Sequence, residues 1–196
     1  MSPKADLVKQ ISKTAFTDAI DLMACLGVLR EGRSLVVPQA LEAANASLAA
    51  TIVQKALLQR VLMTVERAFA PANRTSDRHA RVAFKHLLEP EIFDEVAKVG
   101  SRQQLELACA IWRSYDADPR REKLKHYRDK VVAHTAVQER PAPFVDELTG
   151  YAMGTADLLA RLARGTGVVG LGLGVQMAEY DKSAKAFWSV WRDRKK

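Results

Sequence analysis

The sequence is poor in residues that crosslink a small protein or bind structural metal. It has two cysteines among 196 residues, Cys25 and Cys109, and each lies in an apolar helical run far from any CxxC or Cys/His cluster. This spacing excludes a structural Cys/His zinc site and predicts reduced, buried thiols. The first twenty residues include Lys4, Lys9 and Lys13, so they lack the apolar core of a signal peptide. We therefore expect a cytoplasmic protein.

Long uninterrupted hydrophobic runs are missing as well. The longest uncharged stretches, 43–54 and 165–178, are shorter than the about 20 residues that cross a bilayer. Strand-type alternation of apolar and polar residues is absent over any useful length. We therefore expect a soluble helical protein with no membrane partner.

What the chain does have is an excess of positive charge and enough apolar residues for a core. Thirty Lys and Arg residues against 23 Asp and Glu give a formal net charge of +7 at pH 7, and 48% of the residues are hydrophobic. The length suits one domain with its own core, so we treat 1–196 as a single domain. The basic balance favours an anionic partner, with nucleic acid the first candidate, although net charge alone identifies none.

Apolar residues recur at three- and four-residue steps along most of the chain, which predicts an all-α bundle. Residues 34–38 are predicted to be a connection, Ser76 or Asp77 to cap the third helix, and Asp118 with Pro119 to start the sixth. The predicted helices cover about 4–30, 39–70, 77–88, 90–100, 102–115, 120–135, 144–163 and 176–193.

Half of the ten glycines lie in the segment 165–175, where GTGVVG matches the pattern GxGxxG. A dinucleotide site needs a strand before these glycines, and here a helical pattern precedes them without any βαβ unit. We interpret this segment as a glycine-rich connection to a C-terminal helix, either flexible or closely packed.

The C-terminal helix carries Phe187, Trp188 and Trp191, followed by a basic end. Such a combination can stack on single-stranded bases. Because the aromatic residues fall on a helical stripe, we predict that they pack in the core and that the basic end is a solvated tail.

The segment 119–135, PRREKLKHYRDKVVAHT, is the richest in candidate chemistry, with six Lys and Arg residues between 120 and 130. Leu124, Tyr127, Val131 and His134 step by three, four and three residues, which places them on one inward stripe. Periodicity alone leaves two interpretations of His134. It is either a core or helix-terminal histidine satisfied by a nearby carbonyl, or a proton-transfer group.

The stretch from Arg128 to His134, RDKVVAH, resembles the arginine–polar–x(3–5)–histidine motif of HEPN domains (higher eukaryotes and prokaryotes nucleotide-binding), most of all in the abortive-infection branch. The spacing alone has no value, since each of the other three histidines also follows an arginine at a compatible distance. Only this pair adds the polar Asp129 directly after the arginine and the small Ala133 directly before the histidine. The resemblance covers this helix alone.

The resemblance implies a HEPN-like helical bundle, usually homodimeric, that cleaves RNA without a metal or other cofactor. In this chain His134 would act as general base or acid, and Arg128 would hold the scissile phosphate. Asp129 would orient one of them or form a surface salt bridge. We expect Lys125 and Lys130 to bind substrate phosphate from the same helix. RNA carries its own 2′-hydroxyl nucleophile, so a titrating group and a fixed guanidinium can suffice.

The spacing of the pair raises a geometric question. On an ideal helix Arg128 and His134 point about 120° apart. Unwinding of the helix near His134, or a site shared by two protomers, would bring them to one phosphate. Toxin-type HEPN proteins that are silenced by tyrosine modification carry a tyrosine two residues after the histidine. That position is Ala136 here, so we do not expect this form of control.

Three function classes fit the sequence. The first is a ribonuclease that acts as a toxin or phage-defence effector, with a possible cognate antitoxin. The second is a catalytically inactive helical module that binds RNA or a nucleotide. The third is a protein–protein adaptor whose basic charge is incidental.

Overall fold

The computed structural model describes residues 1–34, 36–71, 78–129, 145–170 and 173–192. Within these ranges the chain forms helices and no strand, so the predicted all-α class is confirmed. The helices are α1 (Pro3–Gly32), α2 (Val36–Ala43), α3 (Ser47–Phe69), α4 (Ala80–Leu87), α5 (Pro90–Ala97), α6 (Arg102–Asp116), α7 (Pro119–Tyr127), α8 (Val145–Gly165) and α9 (Gly174–Arg192).

The long helix α1 is the centre of the bundle. Its start is well capped, because the Ser2 side chain accepts a hydrogen bond from the Ala5 N–H and Pro3 occupies the first helical position. It packs along α8 and also contacts α3, α4 and α9. Its buried residues join those of α3 to α8 in one main apolar core. The single-domain expectation stays a prediction.

A second, smaller core lies between α2, α3 and α9. It contains Val37, Leu41, Ala50 and Trp188.

The predicted packing of the C-terminal aromatic residues holds for one residue and fails for another. Trp188 is buried, and its Nε1 donates to the Val28 carbonyl at 2.9 Å. Phe187 was predicted to be buried, but 54% of it is exposed. The buried line of α9 runs from Ala184 to Trp188, a step of four residues that leaves Phe187 outside.

The predicted single helix over 39–70 is wrong, because the chain forms two helices there. Asn45 adopts a left-handed conformation (φ 55°) between α2 and α3, which ends the first helix before the second begins.

The predicted connection at 34–38 is also too long. Pro38 lies in the first turn of α2, where backbone N–H groups have no intrahelical partner and proline is tolerated.

Two predicted helix starts had opposite outcomes. Asp118 caps α7 as predicted, accepting the Arg120 N–H at 2.8 Å, with Pro119 as the first residue. The predicted cap of α4 by Ser76 or Asp77 is wrong. The helix begins at Ala80 with His79 in the cap position and no side-chain capping bond, and 76 and 77 lie outside the described residues.

A close backbone contact explains part of the glycine-rich segment. The Ser101 N–H donates to the Gly165 carbonyl at 2.9 Å, and a Cβ on Gly100 would stand 1.9 Å from that oxygen. Gly167 has φ +71°, which favours glycine. Since the helix α8 precedes these glycines, a dinucleotide loop is excluded there. The segment is a closely packed connection in its described part.

The helix α3 is long and apolar enough to cross a membrane, by length and composition only. The expectation of no membrane span considered only uncharged runs, whereas an 18-residue window of α3 has a mean hydropathy of 1.3. One such helix is weak evidence, because core helices of soluble proteins pass the same test. The C-terminal half of α3 lies in the main core, whereas Leu48 and Ile52 near its start are exposed.

Candidate functional site

The short helix α7 carries the described part of the candidate motif. Leu124 is buried in the main core and Tyr127 packs against it, so α7 is fixed on α3 and α8. The helical path then widens into a π-type turn at Arg128 and Asp129. Lys130 and His134 lie outside the described residues.

The π-type turn concerns only the first two residues of the motif, Arg128 and Asp129. The 120° separation assumed an ideal α-helix through Arg128, and a π-type turn rotates less per residue. From Lys130 to His134 the motif lies outside the described residues, so the angle between Arg128 and His134 stays an expectation. Such local widenings are frequent at functional sites.

Arg128 and Asp129 form a tight ion pair. The Arg128 Nε donates to Asp129 Oδ1 at 2.6 Å, and its Nη2 contacts the same oxygen. The Arg128 side chain is 23% exposed, so part of its guanidinium remains accessible. This contact fits both alternatives for Asp129, an orienting residue and a surface salt bridge, since its side chain is 40% exposed.

A buried carboxylate, Glu66 of α3, also faces Arg128, and sequence reasoning missed it. Its side chain is 4% exposed, its Oε2 lies 3.9 Å from Arg128 Nη1, and its Oε1 is buried with no hydrogen-bond partner in the described part of the chain. Burial raises the pKa of Glu66, against the opposing effect of the positive charges of Arg128 and Arg121. The signal in the sequence was an acidic residue four positions after Leu62, on the apolar side of the helix.

A cluster of charged groups fixes α7 against the end of α3. Arg81 of α4 and Arg121 of α7 both bind the carboxylate of Asp116, at the end of α6. Both guanidinium groups also donate to the Phe69 carbonyl, at 2.8 Å from Arg81 and 3.2 Å from Arg121. Four helices thus meet at one carboxylate and one carbonyl, next to Glu66 and Arg128.

Two cavities open beside Arg128. We call the first, of about 510 Å³, the Glu66 cavity, and the second, of about 620 Å³, the Met63 cavity. Arg128 and His79 line both cavities. Lys125 lines the Glu66 cavity, is exposed and makes no ion pair with any described residue. The Glu66 cavity is lined by Glu66, Ala70, Pro71, His79, Arg81, Arg121, Lys125 and Arg128. The Met63 cavity is lined by Gln59, Arg60, Met63, Thr64, Arg67, Ala70, His79 and Arg128.

The structure thus brings three of the predicted site residues together, Lys125, Arg128 and Asp129. Their neighbourhood is suited to binding a phosphate, since it offers the partly exposed Arg128 guanidinium and the Lys125 ammonium, which pairs with none of the described residues. Within the ranges that the structure describes, no group of three or more His, Cys, Asp or Glu side chains is arranged to hold a metal ion.

Comparison with known proteins identifies a family. A family model described as HEPN_AbiU2, AbiU2, matches residues 4–159, well over half of the chain. The match extends from α1 into α8 and includes the whole stretch from Arg128 to His134. No curated protein and no solved structure matches.

Proposed function

This chain belongs to the AbiU2 family of HEPN proteins, which is of the abortive-infection type, and from this membership we propose that it is a metal-independent endoribonuclease acting in phage defence or in a toxin–antitoxin pair. The HEPN resemblance of the sequence is thereby confirmed, as is the HEPN-like all-α fold, with α9 an additional helix beyond the matched residues. The observation that carries the proposal is the position of Arg128, an oriented and partly exposed guanidinium between two cavities.

The proposed reaction uses the ribose of the RNA itself. The 2′-hydroxyl oxygen attacks the adjacent phosphorus while a base removes its proton, and the 5′-oxygen of the next nucleotide leaves after receiving a proton. His134 serves in these proton transfers, and Arg128 stabilises the negative charge that accumulates on the phosphoryl oxygens. Asp129 keeps the Arg128 fork in one orientation. The products are a 2′,3′-cyclic phosphate and a 5′-hydroxyl.

The proposal extends to assembly and location. HEPN domains usually act as homodimers whose motifs face a shared cleft, and we propose the same arrangement for this chain. A cytoplasmic location and a cognate antitoxin that restrains the activity belong to the same proposal, since free ribonuclease activity would be toxic to the producing cell.

The decisive experiment is cleavage of RNA in the presence of EDTA. We expect the purified protein to cut single-stranded RNA under these conditions and to leave 2′,3′-cyclic phosphate ends, which mass spectrometry identifies. DNA of the same sequence should resist, because it lacks the 2′-hydroxyl. Sedimentation velocity on the same preparation gives the oligomeric state. Strict dependence on a divalent metal, or equal cleavage of DNA and RNA, would contradict the mechanism.

A second candidate function is RNA binding without catalysis. It is favoured by the two carboxylates around Arg128, since Asp129 and Glu66 compete with a substrate phosphate for the guanidinium. This alternative predicts salt-dependent retention of RNA with no cleavage at any protein concentration.

Lys125 provides a test of where the phosphate backbone binds. We expect Lys125→Ala to weaken RNA binding for all sequences and to reduce the slope of log affinity against log salt by about 0.7, the loss of one single-strand phosphate contact. Fluorescence anisotropy at several salt concentrations measures both quantities. The phosphate contact is assigned to α7, which is packed on α3 and α8, so removal of residues 194–196 should leave affinity nearly intact.

Lys123 is the matched control for this experiment. It lies on the same helix and is exposed, but its Nζ stands 3.5 Å from Glu147 Oε1, away from the Glu66 cavity. Lys123→Ala should change affinity little. Loss of binding on removal of 194–196, together with no effect of Lys125→Ala, would show that the assignment is wrong.

A further inference from the structure

The Glu66 cavity contains an unusual concentration of unsatisfied polar atoms. Glu66 Oε1, His79 Nδ1 and Arg121 Nε are all buried without a hydrogen-bond partner among the described residues, and all three residues line this cavity. Buried polar atoms are normally paired, and each orphan lowers stability. A fold that keeps an acceptor and a donor unpaired at one cavity is suited to a ligand that supplies the missing partners.

The volume of the cavity and its charged lining residues restrict the chemical class of that ligand. A volume of about 510 Å³ is in the usual range for small-ligand sites. Lys125 and Arg128 favour an anionic group, whereas the carboxylate of Glu66 accepts hydrogen bonds and donates none when ionised. The ligand therefore combines an anion with N–H donors, as a nucleotide does.

Among the four RNA bases, guanine fits this carboxylate best. Its Watson–Crick edge presents two adjacent donors, N1–H and N2–H, which match the two oxygens of a carboxylate. Adenine and cytosine present a donor beside an acceptor, and uracil presents one donor between two acceptors. In single-stranded RNA these edges are free to be read by a protein.

We propose that the Glu66 cavity is a guanine subsite, in which Glu66 selects the base of a nucleotide next to the phosphate that Arg128 holds. This rests on the proposed function for the identity of the substrate, RNA. The terminal torsion of a glutamate has no sharp preferred angle, so a turn of the carboxylate can present both oxygens to the base. Arg121 Nε and a ring N–H of His79 belong to the same cavity wall, where they can donate to the O6 and N7 acceptors of guanine.

Binding of mononucleotides to the full-length protein tests the inference without any need for cleavage. Isothermal titration calorimetry with GMP, AMP, CMP and UMP should show GMP bound roughly tenfold or more tightly than the others, as expected for one bidentate base contact. IMP retains N1–H but lacks the N2 amine, so its affinity should lie between those of GMP and AMP.

Glu66→Gln replaces one carboxylate oxygen by an NH₂ group of the same size. It should weaken GMP binding by roughly tenfold or more and abolish the preference over AMP. Glu31→Gln is the matched control, since Glu31 is a similarly buried carboxylate (side chain 10% exposed) on α1, outside this cavity. If Glu66→Gln fails to fold, Glu66→Asp keeps the charge but shortens the reach, and it should weaken GMP binding more than AMP binding.

The outcomes separate this inference from the proposed function. RNA cleavage without base preference, together with equal binding of the four mononucleotides, would overturn the guanine subsite and leave the ribonuclease intact. Selective GMP binding without any RNA cleavage would support the subsite and overturn the ribonuclease. Selective GMP binding that persists in Glu66→Gln would show that another group reads the base.

Discussion

Replacing His134 by alanine is expected to lower the rate of RNA cleavage by roughly 10²–10⁴-fold, the usual contribution of a general acid–base group. The neutral methyl group cannot take the proton from the 2′-hydroxyl or return one to the leaving 5′-oxygen. RNA affinity should change little, because phosphate binding is assigned to Lys125 and Arg128. Single-turnover cleavage of a labelled RNA in EDTA measures the rate, and anisotropy measures the affinity.

The other histidines and the motif arginine provide the controls. His126→Ala and His86→Ala should cost little, since these residues share only the uninformative spacing with the motif. Arg128→Lys keeps the charge but loses the planar fork that binds two phosphoryl oxygens, so its activity should still fall steeply. Each variant needs a thermal melt beside the rate. A loss in His126→Ala as large as that in His134→Ala would contradict the assignment of His134.

The largest expected effect on stability is that of Gly100→Ala. The new Cβ would stand 1.9 Å from the Gly165 carbonyl oxygen and 2.8 Å from the Gly167 nitrogen. These are backbone atoms, so they cannot move aside as a flexible side chain would. The two segments must separate, which breaks the hydrogen bond from Ser101 to Gly165 and loosens α6 from α8. We expect a loss of about 3 kcal/mol from overpacking and the lost bond, a fall in Tm of about 6–12 °C.

Gly150→Ala is the matched control for this measurement. Gly150 lies inside α8, and a Cβ there would meet nothing within 4 Å. Alanine is the better helix former, so this variant should be neutral or more stable by up to about 1 kcal/mol. Urea unfolding of both variants gives the two free energies of unfolding. Equal stability of Gly100→Ala and the unchanged protein would show that the backbones do not meet as described.

The parts of the fold that follow local rules were predictable from the sequence. The start of α7 was predictable because Asp118 and Pro119 are adjacent and act on the helix that directly follows them. The break between α2 and α3 was not, since the apolar spacing continues across Asn45 and only its left-handed backbone shows the interruption. The contact between Gly100 and Gly165 joins segments far apart in the chain, so no local pattern indicates it.

In the candidate site too, residues of a contiguous motif were predictable and residues joined only by the fold were not. Arg128 and Asp129 were found because the motif that resembles HEPN domains is contiguous in sequence. Glu66 was missed because its role depends on a tertiary contact. The packing of α7 against α3 places the Arg128 guanidinium opposite the Glu66 carboxylate. Phe187 was misplaced because a helical stripe does not tell which of two adjacent aromatic residues faces the neighbouring helix.

The shared carboxylate of Asp116 also restricts how this protein can evolve. Loss of Asp116 would leave Arg81 and Arg121 as two half-buried positive charges side by side, both directed at the Phe69 carbonyl. Loss of either arginine is milder, because the other still neutralises the carboxylate. A lineage can therefore pass through an arginine substitution before it changes Asp116, whereas the reverse order leads through an intermediate with unbalanced charge. Substitution of an arginine before Asp116 is therefore tolerated better than substitution of Asp116 before the arginines.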